Sequence, residues 1–269
     1  MTNDHFAPVS VVIPCFCCAK TIGRAVASIQ QQSVIPAQVI LVDDASGDLT
    51  LKVLSEIEKK YLGWVKVIAL DVNRGPSNAR NTGWRAAAQP LIAFLDADDT
   101  WHPKKIELQY AYMVAHPEIV LSGHGFRMLP DQNSYPDWPV TESGAQEVTK
   151  WSLLVSNRFI TPSVMLRKDI SQRFRLDQWH MEDHLLWLEI LCDGGQVAKL
   201  SAELAAIYKQ PFGVSGLSSQ MWKMEKGDLR NYRILYRSGS INGISWLMLS
   251  TFSWIKFIRR LIIYLSLNF

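Results

Sequence analysis

Two acidic clusters stand at the ends of apolar runs: Asp43-Asp44 after Val39–Val42, and Asp96-Ala97-Asp98-Asp99 after Leu91–Leu95. A third acidic pair, Glu182-Asp183, opens a stretch of helical periodicity that reaches Leu191. Carboxylates at a strand end have two readings. One is local: an aspartate caps the helix that follows. The other is chemical: several carboxylates on one edge concentrate negative charge, which is costly unless a cation or hydrogen-bond donors offset it. Hard oxygen ligands suit a divalent ion, and Mg(II) is usually held by one or two carboxylates together with substrate phosphates. That arrangement implies a metal–diphosphate site, with Arg80 as a nearby cation. Glu182-Asp183 also has two readings. The acids complement a helix N-terminus, or one of them takes the proton of an attacking hydroxyl.

Such a site needs a scaffold that gathers strand ends far apart in the chain. The first hundred residues alternate apolar runs with helical patterns, the signature of βαβ units on a mainly parallel sheet. Strands are predicted at Val9–Ile13, Val39–Val42, Val65–Leu70 and Leu91–Leu95, with helices at Thr21–Gln31, from Asp48 to Tyr61, and from Gly75-Pro76-Ser77 to Ala88. Ligands of open parallel sheets bind beyond the carboxyl ends of the strands, where both acidic clusters fall. Past residue 100 the pattern loosens. A helix from Pro103 to about His116, strands at Ile119–Phe126 and Val164–Leu166, a helix at Glu182–Leu191 and a loop at Gly213–Ser219 are expected. No G-x-G-x-x-G follows the first strand and no Walker A sequence occurs, so phosphates must be handled by the metal and by cations such as Arg80.

The 269 residues are 48% hydrophobic and 20% charged, which excludes a disordered or collagen-like chain. Three of the four cysteines lie in Cys15-Phe16-Cys17-Cys18, fit no zinc spacing, and point to a reducing compartment. The first residues lack a basic segment followed by an apolar run, so no secretory signal is expected. The net charge of +3 is unevenly placed: residues 221–269 hold eight Lys and Arg against two acids. A weakly acidic body with a basic, apolar tail is not the pattern of a nucleic-acid binder.

The segments VSVVIPCF, VILVDDASGD, NRGPSNARNTGW, IAFLDADDTWHPKKIE, TPSVMLRKD and MEDHLLWLEI, in this order, resemble the family 2 glycosyltransferases. The resemblance spans roughly residues 8–210. It implies an α/β fold of the GT-A type, Rossmann-like with helices on both faces, followed by a C-terminal helical tail. It also implies an inverting transfer from a nucleotide-sugar to a hydroxyl of a glycan or lipid-linked acceptor. Residues 1–220 would be the catalytic domain, with 8–100 binding nucleotide and 101–220 binding acceptor, and 221–269 a helical, membrane-associating segment. By resemblance Pro14, Asp43 and Asp44 hold the nucleotide base, with Asp44 the preferred partner of its edge. Arg80 accompanies the nucleotide, Asp96 holds ribose and metal, and Asp98 holds the metal, Mn(II) or Mg(II). Asp183 is the expected catalytic base beside Glu182. UDP is the favoured nucleotide. The family usually has Asn where this chain has Cys17, and the region of Tyr208-Lys209 offers no histidine as a third metal ligand.

Several other residues have both a structural and a functional reading. Trp101 and His102 line a sugar pocket or pack under the sheet edge. Trp138, Trp151, Trp179 and Trp187 present an acceptor surface or belong to the core. From Ile244 to Leu267 the chain is mainly apolar and its only charges are Lys256, Arg259 and Arg260, which share one helical face. Such a helix suits a membrane interface with its cations toward anionic headgroups, giving peripheral contact on the cytoplasmic face. The alternative is a helix packed on the domain. Two other functions compete: a haloacid-dehalogenase-like phosphohydrolase, for which IAFLDADDTW supplies D-x-D-x-T, and a non-catalytic nucleotide-sugar or glycan-binding protein. The phosphatase motif normally opens its fold, whereas three βα units come first here.

Overall fold

A computed structural model describes residues 6–129, 131, 134–140, 144–208 and 220–267. Four strands, β1 (Phe6–Cys15), β2 (Ile35–Asp43), β3 (Val65–Ala69) and β4 (Leu91–Phe94), run parallel in the order β3-β2-β1-β4. Helices α1 (Ile22–Gln30), α2 (Thr50–Lys60) and α3 (Pro76–Ala86) connect them. Alternate strand residues face opposite sides. Val12, Ile40, Val42, Ile92 and Phe94 therefore build one core layer, and Val11, Ile13, Val39, Leu41 and Ala93 the other. The second layer packs on the Ile22, Val26 and Ile29 stripe of α1. All four predicted strands and three predicted helices of this half are present. Asp48 does not occupy the N-cap of α2, which is Leu49, but its carboxylate accepts from the Thr50 N–H at 2.9 Å just ahead of it.

The second half continues the same sheet. After β5 (Thr100–Trp101) and α4 (Lys105–Ala115) come β6 (Ile119–Met128), β7 (Ala145–Glu147), α5 (Lys150–Val155), β8 (Met165–Arg167), α6 (Glu182–Cys192) and β9 (Gln196–Ile207). The sheet order extends as β4-β8-β6-β9-β5, with β7 also on β9. β8 is antiparallel to β4 and β6, and so reverses the sense of the sheet at the point where the acidic loop leaves β4. The expected loop at Gly213–Ser219 lies outside the described residues.

Two helices close the chain: α7 (Met221–Arg237) and α8 (Gly243–Leu267). They form an antiparallel pair, joined at one end by stacked Tyr236 and Trp246 and at the other by Trp222 against Trp254 and Phe257. The cations expected to face away from the protein are instead turned largely inward. Lys256 Nζ donates to the Val155 carbonyl at 2.8 Å, and Arg260 Nη2 lies 3.2 Å from Glu225 of α7. The reason is Glu225, fully buried on α7, which draws the arginine toward itself. Only Arg259 of the three is exposed.

Candidate active site

Each predicted acidic residue emerges at the carboxyl edge of the parallel strands. Pro14, half-buried near the end of β1, pairs in register with Val42, and Cys15 with Asp43. Asp43 and Asp44 are both buried. Asp44 accepts from the backbone N–H of Arg74 at 3.1 Å and of Gly75 at 2.7 Å. It thereby fixes the turn in front of α3, where Gly75 has a φ of +86° and Pro76 occupies the first helical turn. Both Asp44 oxygens are thus engaged by the protein. Asp43 accepts from Ser46 N–H at 3.3 Å with one oxygen, while its buried Oδ1 has no partner among the described residues.

Arg80 projects from α3 into the centre of the acidic edge and is 6% exposed. Its guanidinium reaches Asp96 Oδ1 at 2.9 Å and Glu182 Oε1 at 3.0 Å. It therefore joins the end of β4 to the start of α6. Asp98 and Asp183 add their fields: Asp98 and Asp183 act on Asp96, and Asp183 acts on Glu182 and Arg80. Three carboxylates thus act on one guanidinium, with Asp98 beside Asp96. Burial disfavours the charge on Arg80, but Asp96, Glu182 and Asp183 together hold its pKa above the ordinary value. Burial raises Asp96, against the attraction of Arg80 and with added repulsion from Asp98. Burial raises Glu182 most visibly, to about 7, with Asp183 reinforcing the shift and Arg80 only partly opposing it. One arginine shared by two carboxylates does not offset the desolvation of both.

Asp183 is half-buried beside Glu182. Its Oδ1 accepts from the His184 N–H at 2.7 Å and its Oδ2 from the Thr161 hydroxyl at 3.3 Å. The residue before the pair, Met181, has a left-handed φ of +59°. Among the described residues only Cys17, Ala45 and Met181 combine a side chain with positive φ, and they follow β1, follow β2 and precede α6. Backbone strain is therefore concentrated around this edge. Cys17 stands in the conformation that asparagine tolerates better than most residues, which accounts for the family's preference there.

The supports of Glu182-Asp183 were not legible in the sequence. Asn81 of α3 makes a reciprocal pair with the Phe174 backbone, at 2.7 Å and 3.1 Å, and Asn231 of α7 donates to the Met181 carbonyl at 2.9 Å. Gln178 donates to both Asn231 Oδ1 and the His180 carbonyl. Apart from the Gln178–His180 bond, these amides join groups 50 or more positions apart, a relation without any local periodicity. Several aromatic candidates belong to packing. Trp187 is fully buried, Trp101 is 1% exposed and donates to the Pro162 carbonyl, and His102 is held against the Trp138 carbonyl. Trp151 and Trp179 remain exposed.

Among the described residues no three His, Cys, Asp or Glu side chains converge as a metal cage. Asp96 and Asp98 nevertheless supply hard oxygens in a cluster with excess negative charge. This donor set fits an ion that takes most of its shell from phosphate and water.

The family described as glycosyl transferase family 2 matches residues 10–174. The amylovoran biosynthesis glycosyltransferase AmsE of Erwinia amylovora is 26% identical over 239 residues, covering 86% of this chain and 87% of its own. The UDP-Glc:alpha-D-GlcNAc-diphosphoundecaprenol beta-1,3-glucosyltransferase WfgD of Escherichia coli is 28% identical over 216 residues, with 80% and 81% covered. Among solved structures, the mannosyltransferase PcManGT of Pyrobaculum calidifontis, in complex with GDP-Man and Mn2+, superposes with a TM-score of 0.64 at 17% identity. That match covers 86% of this chain and 64% of the longer PcManGT chain, and it shows the shared fold. The match over the strand-end carboxylates, Arg80 and the sheet that gathers them shows that the chain belongs to glycosyl transferase family 2, an inverting glycosyltransferase of GT-A fold.

Proposed function

We propose that this enzyme transfers a sugar from a nucleoside diphosphate sugar, UDP-linked by preference, to a hydroxyl of a glycan or lipid-linked acceptor in cell-surface polysaccharide synthesis. The observation that carries this reading is the Arg80-centred cluster of Asp96, Glu182 and Asp183 at the carboxyl edge of β4 and the start of α6. The names of AmsE and WfgD support the polysaccharide and lipid-linked context.

In this reading Pro14 and Asp43 flank the nucleotide base, and the buried Oδ1 of Asp43 accepts an N–H from its edge. Asp44, whose oxygens hold the Arg74–Gly75 turn, shapes the pocket from behind. Asp98 and the outer oxygen of Asp96 would hold Mn(II) or Mg(II), which when bound stabilises charge on the departing diphosphate. Arg80 orients Asp96 and Glu182 on either side of the reacting centre. Asp183 takes the proton of the acceptor hydroxyl as its oxygen bonds to the anomeric carbon. The carbon–oxygen bond to the diphosphate breaks in the same step and its electron pair leaves with the nucleotide. A single displacement inverts the anomeric configuration. Work on a lipid-linked acceptor places the enzyme at the cytoplasmic face of a membrane, and no described helix is long and apolar enough to cross one.

The test is Asp183→Asn, which keeps size and hydrogen bonding but accepts no proton. Turnover should fall about 10²–10⁴-fold while donor binding persists. An α-linked nucleotide sugar should yield a β-glycoside, read from the anomeric proton coupling. A retained configuration, or normal turnover by Asp183→Asn, would refute the assignment. The raised pKa of Glu182 favours one variant reading, in which Glu182 is the base. Inactive Glu182→Gln beside active Asp183→Asn would establish it.

A further inference from the structure

The exposed face of α8 is apolar apart from Thr251 and Arg259 and lies opposite the face that packs on the protein. Leu249, Ser253 and Phe257 point inward and are at most 9% exposed. Half a turn away, Leu247, Met248, Phe252, Ile255, Ile258 and Ile262 are between 41% and 68% exposed. Their spacing is that of a single helical stripe. The helix holds no acidic residue. An exposed apolar stripe of this size marks a site of interaction.

The cations that α8 turns inward are replaced by those of its neighbour. On α7, Lys223, Lys226, Arg230, Arg233 and Arg237 recur at intervals of three and four residues and are all exposed. They form one ridge along the face of α7 that the protein core does not cover. The ridge borders the apolar stripe directly: Lys226, Arg230 and Arg233 share a shallow groove with Trp246, Ser250 and Trp254 of α8. Arg230 also pairs with Asp177.

We propose that α7 and α8 together form a docking platform for a bilayer with anionic headgroups, in which the α8 stripe enters the acyl boundary and the α7 ridge lies at headgroup level. This rests on the membrane-surface reading above and supplies the surface that reading requires. Charge complementarity selects the occupant. A second copy of the chain would bring two basic ridges together, whereas an anionic lipid surface offsets them. Tryptophans at the border of the two faces suit the interfacial zone. Another face of α7, at Gly227 and Asn231, touches the turn at His180–Met181. α7 therefore carries the basic ridge on one side and supports, on another, the backbone that presents Glu182-Asp183. A lipid-linked acceptor would then arrive beside the proposed base.

Sedimentation of the full chain with phosphatidylcholine vesicles, with and without phosphatidylglycerol, tests this. The wild type should pellet with the anionic vesicles and be released by high salt. Lys226→Gln with Arg233→Gln should lower partitioning about 30-fold, from about fivefold per cation. Ile255→Gln with Ile258→Gln should abolish it. All four side chains are exposed, so the thermal midpoint and transfer to a soluble acceptor should match the wild type. Failure of the wild type to pellet, unchanged partitioning of the charge variant, or a solution dimer dissolved by the isoleucine variant would overturn the platform. Vesicle binding by a chain that transfers no sugar would support the platform while counting against the transferase reading.

Discussion

Glu182 is the residue whose chemistry is most altered by its place. It is buried, ion-paired to Arg80, and still has its pKa raised to about 7 by burial and by Asp183. The consequence for stability has a definite sign. Between its ordinary value of about 4.5 and about 7, the folded state binds more protons than the unfolded one. This group's contribution is fully present below the lower limit and is lost as pH rises through the upper. Glu182→Gln keeps an acceptor for Arg80 but cannot ionise. The variant's thermal midpoint should therefore hold up better than the wild type's from pH 4.5 to 7, by at most about 3 kcal/mol in the wild type's relative loss. Parallel pH profiles of the two would contradict the idea. The acidic doublets themselves were legible in sequence, because strand-end carboxylates are a local pattern. The distinction between Asp43 and Asp44 was not. It depends on the Arg74–Gly75 turn, 30 positions away, which uses both oxygens of Asp44.

At the level of elements, the parallel half was readable because each strand and helix carries its own period. β9 was not. Its sequence, QVAKLSAELAAI, is rich in Ala, Leu, Lys and Glu, all good helix formers, yet it is a twelve-residue strand. Pairing with β6, β5 and β7 overrides that local preference. Helix α7 was assigned to the tail by composition, but its inner face supports the reactive turn. A Cβ placed on Gly227 would lie 2.7 Å from the His180 carbonyl oxygen and 3.0 Å from Met181 Cγ. Gly→Ala within a helix ordinarily stabilises by about 1 kcal/mol. Here Gly227→Ala must instead displace the turn that presents Glu182-Asp183. Because misplacement near 1 Å can cost about 10²-fold, kcat should drop about 10–10²-fold while the KM for donor changes little. A variant with greater stability and unchanged kcat would show that α7 only packs there.

Over the whole molecule, charge is separated. Residues 221–269 are strongly basic, and the remainder is weakly acidic with its carboxylates gathered at the sheet edge. Repulsion among Asp96, Asp98, Glu182 and Asp183 is a cost borne by the free enzyme and relieved when a cation enters with its diphosphate. Neither partner alone should bind well: a diphosphate meets carboxylates, and a lone ion meets few protein ligands. Thermal unfolding should expose this coupling, because a ligand that binds only the folded state stabilises it by mass action. At a hundredfold excess over Kd the gain is about 2.7 kcal/mol. For a chain of this size that raises Tm by roughly 5–10 °C. UDP with Mn(II) should give a shift of this size, UDP alone or Mn(II) alone a small fraction of it, and GDP with Mn(II) less than UDP with Mn(II). Asp98→Asn should erase the synergy and leave the unliganded Tm unchanged or higher, since it removes one of the repelling carboxylates. Equal shifts with and without the metal, or synergy intact in Asp98→Asn, would place nucleotide binding on the protein cations and base pocket alone.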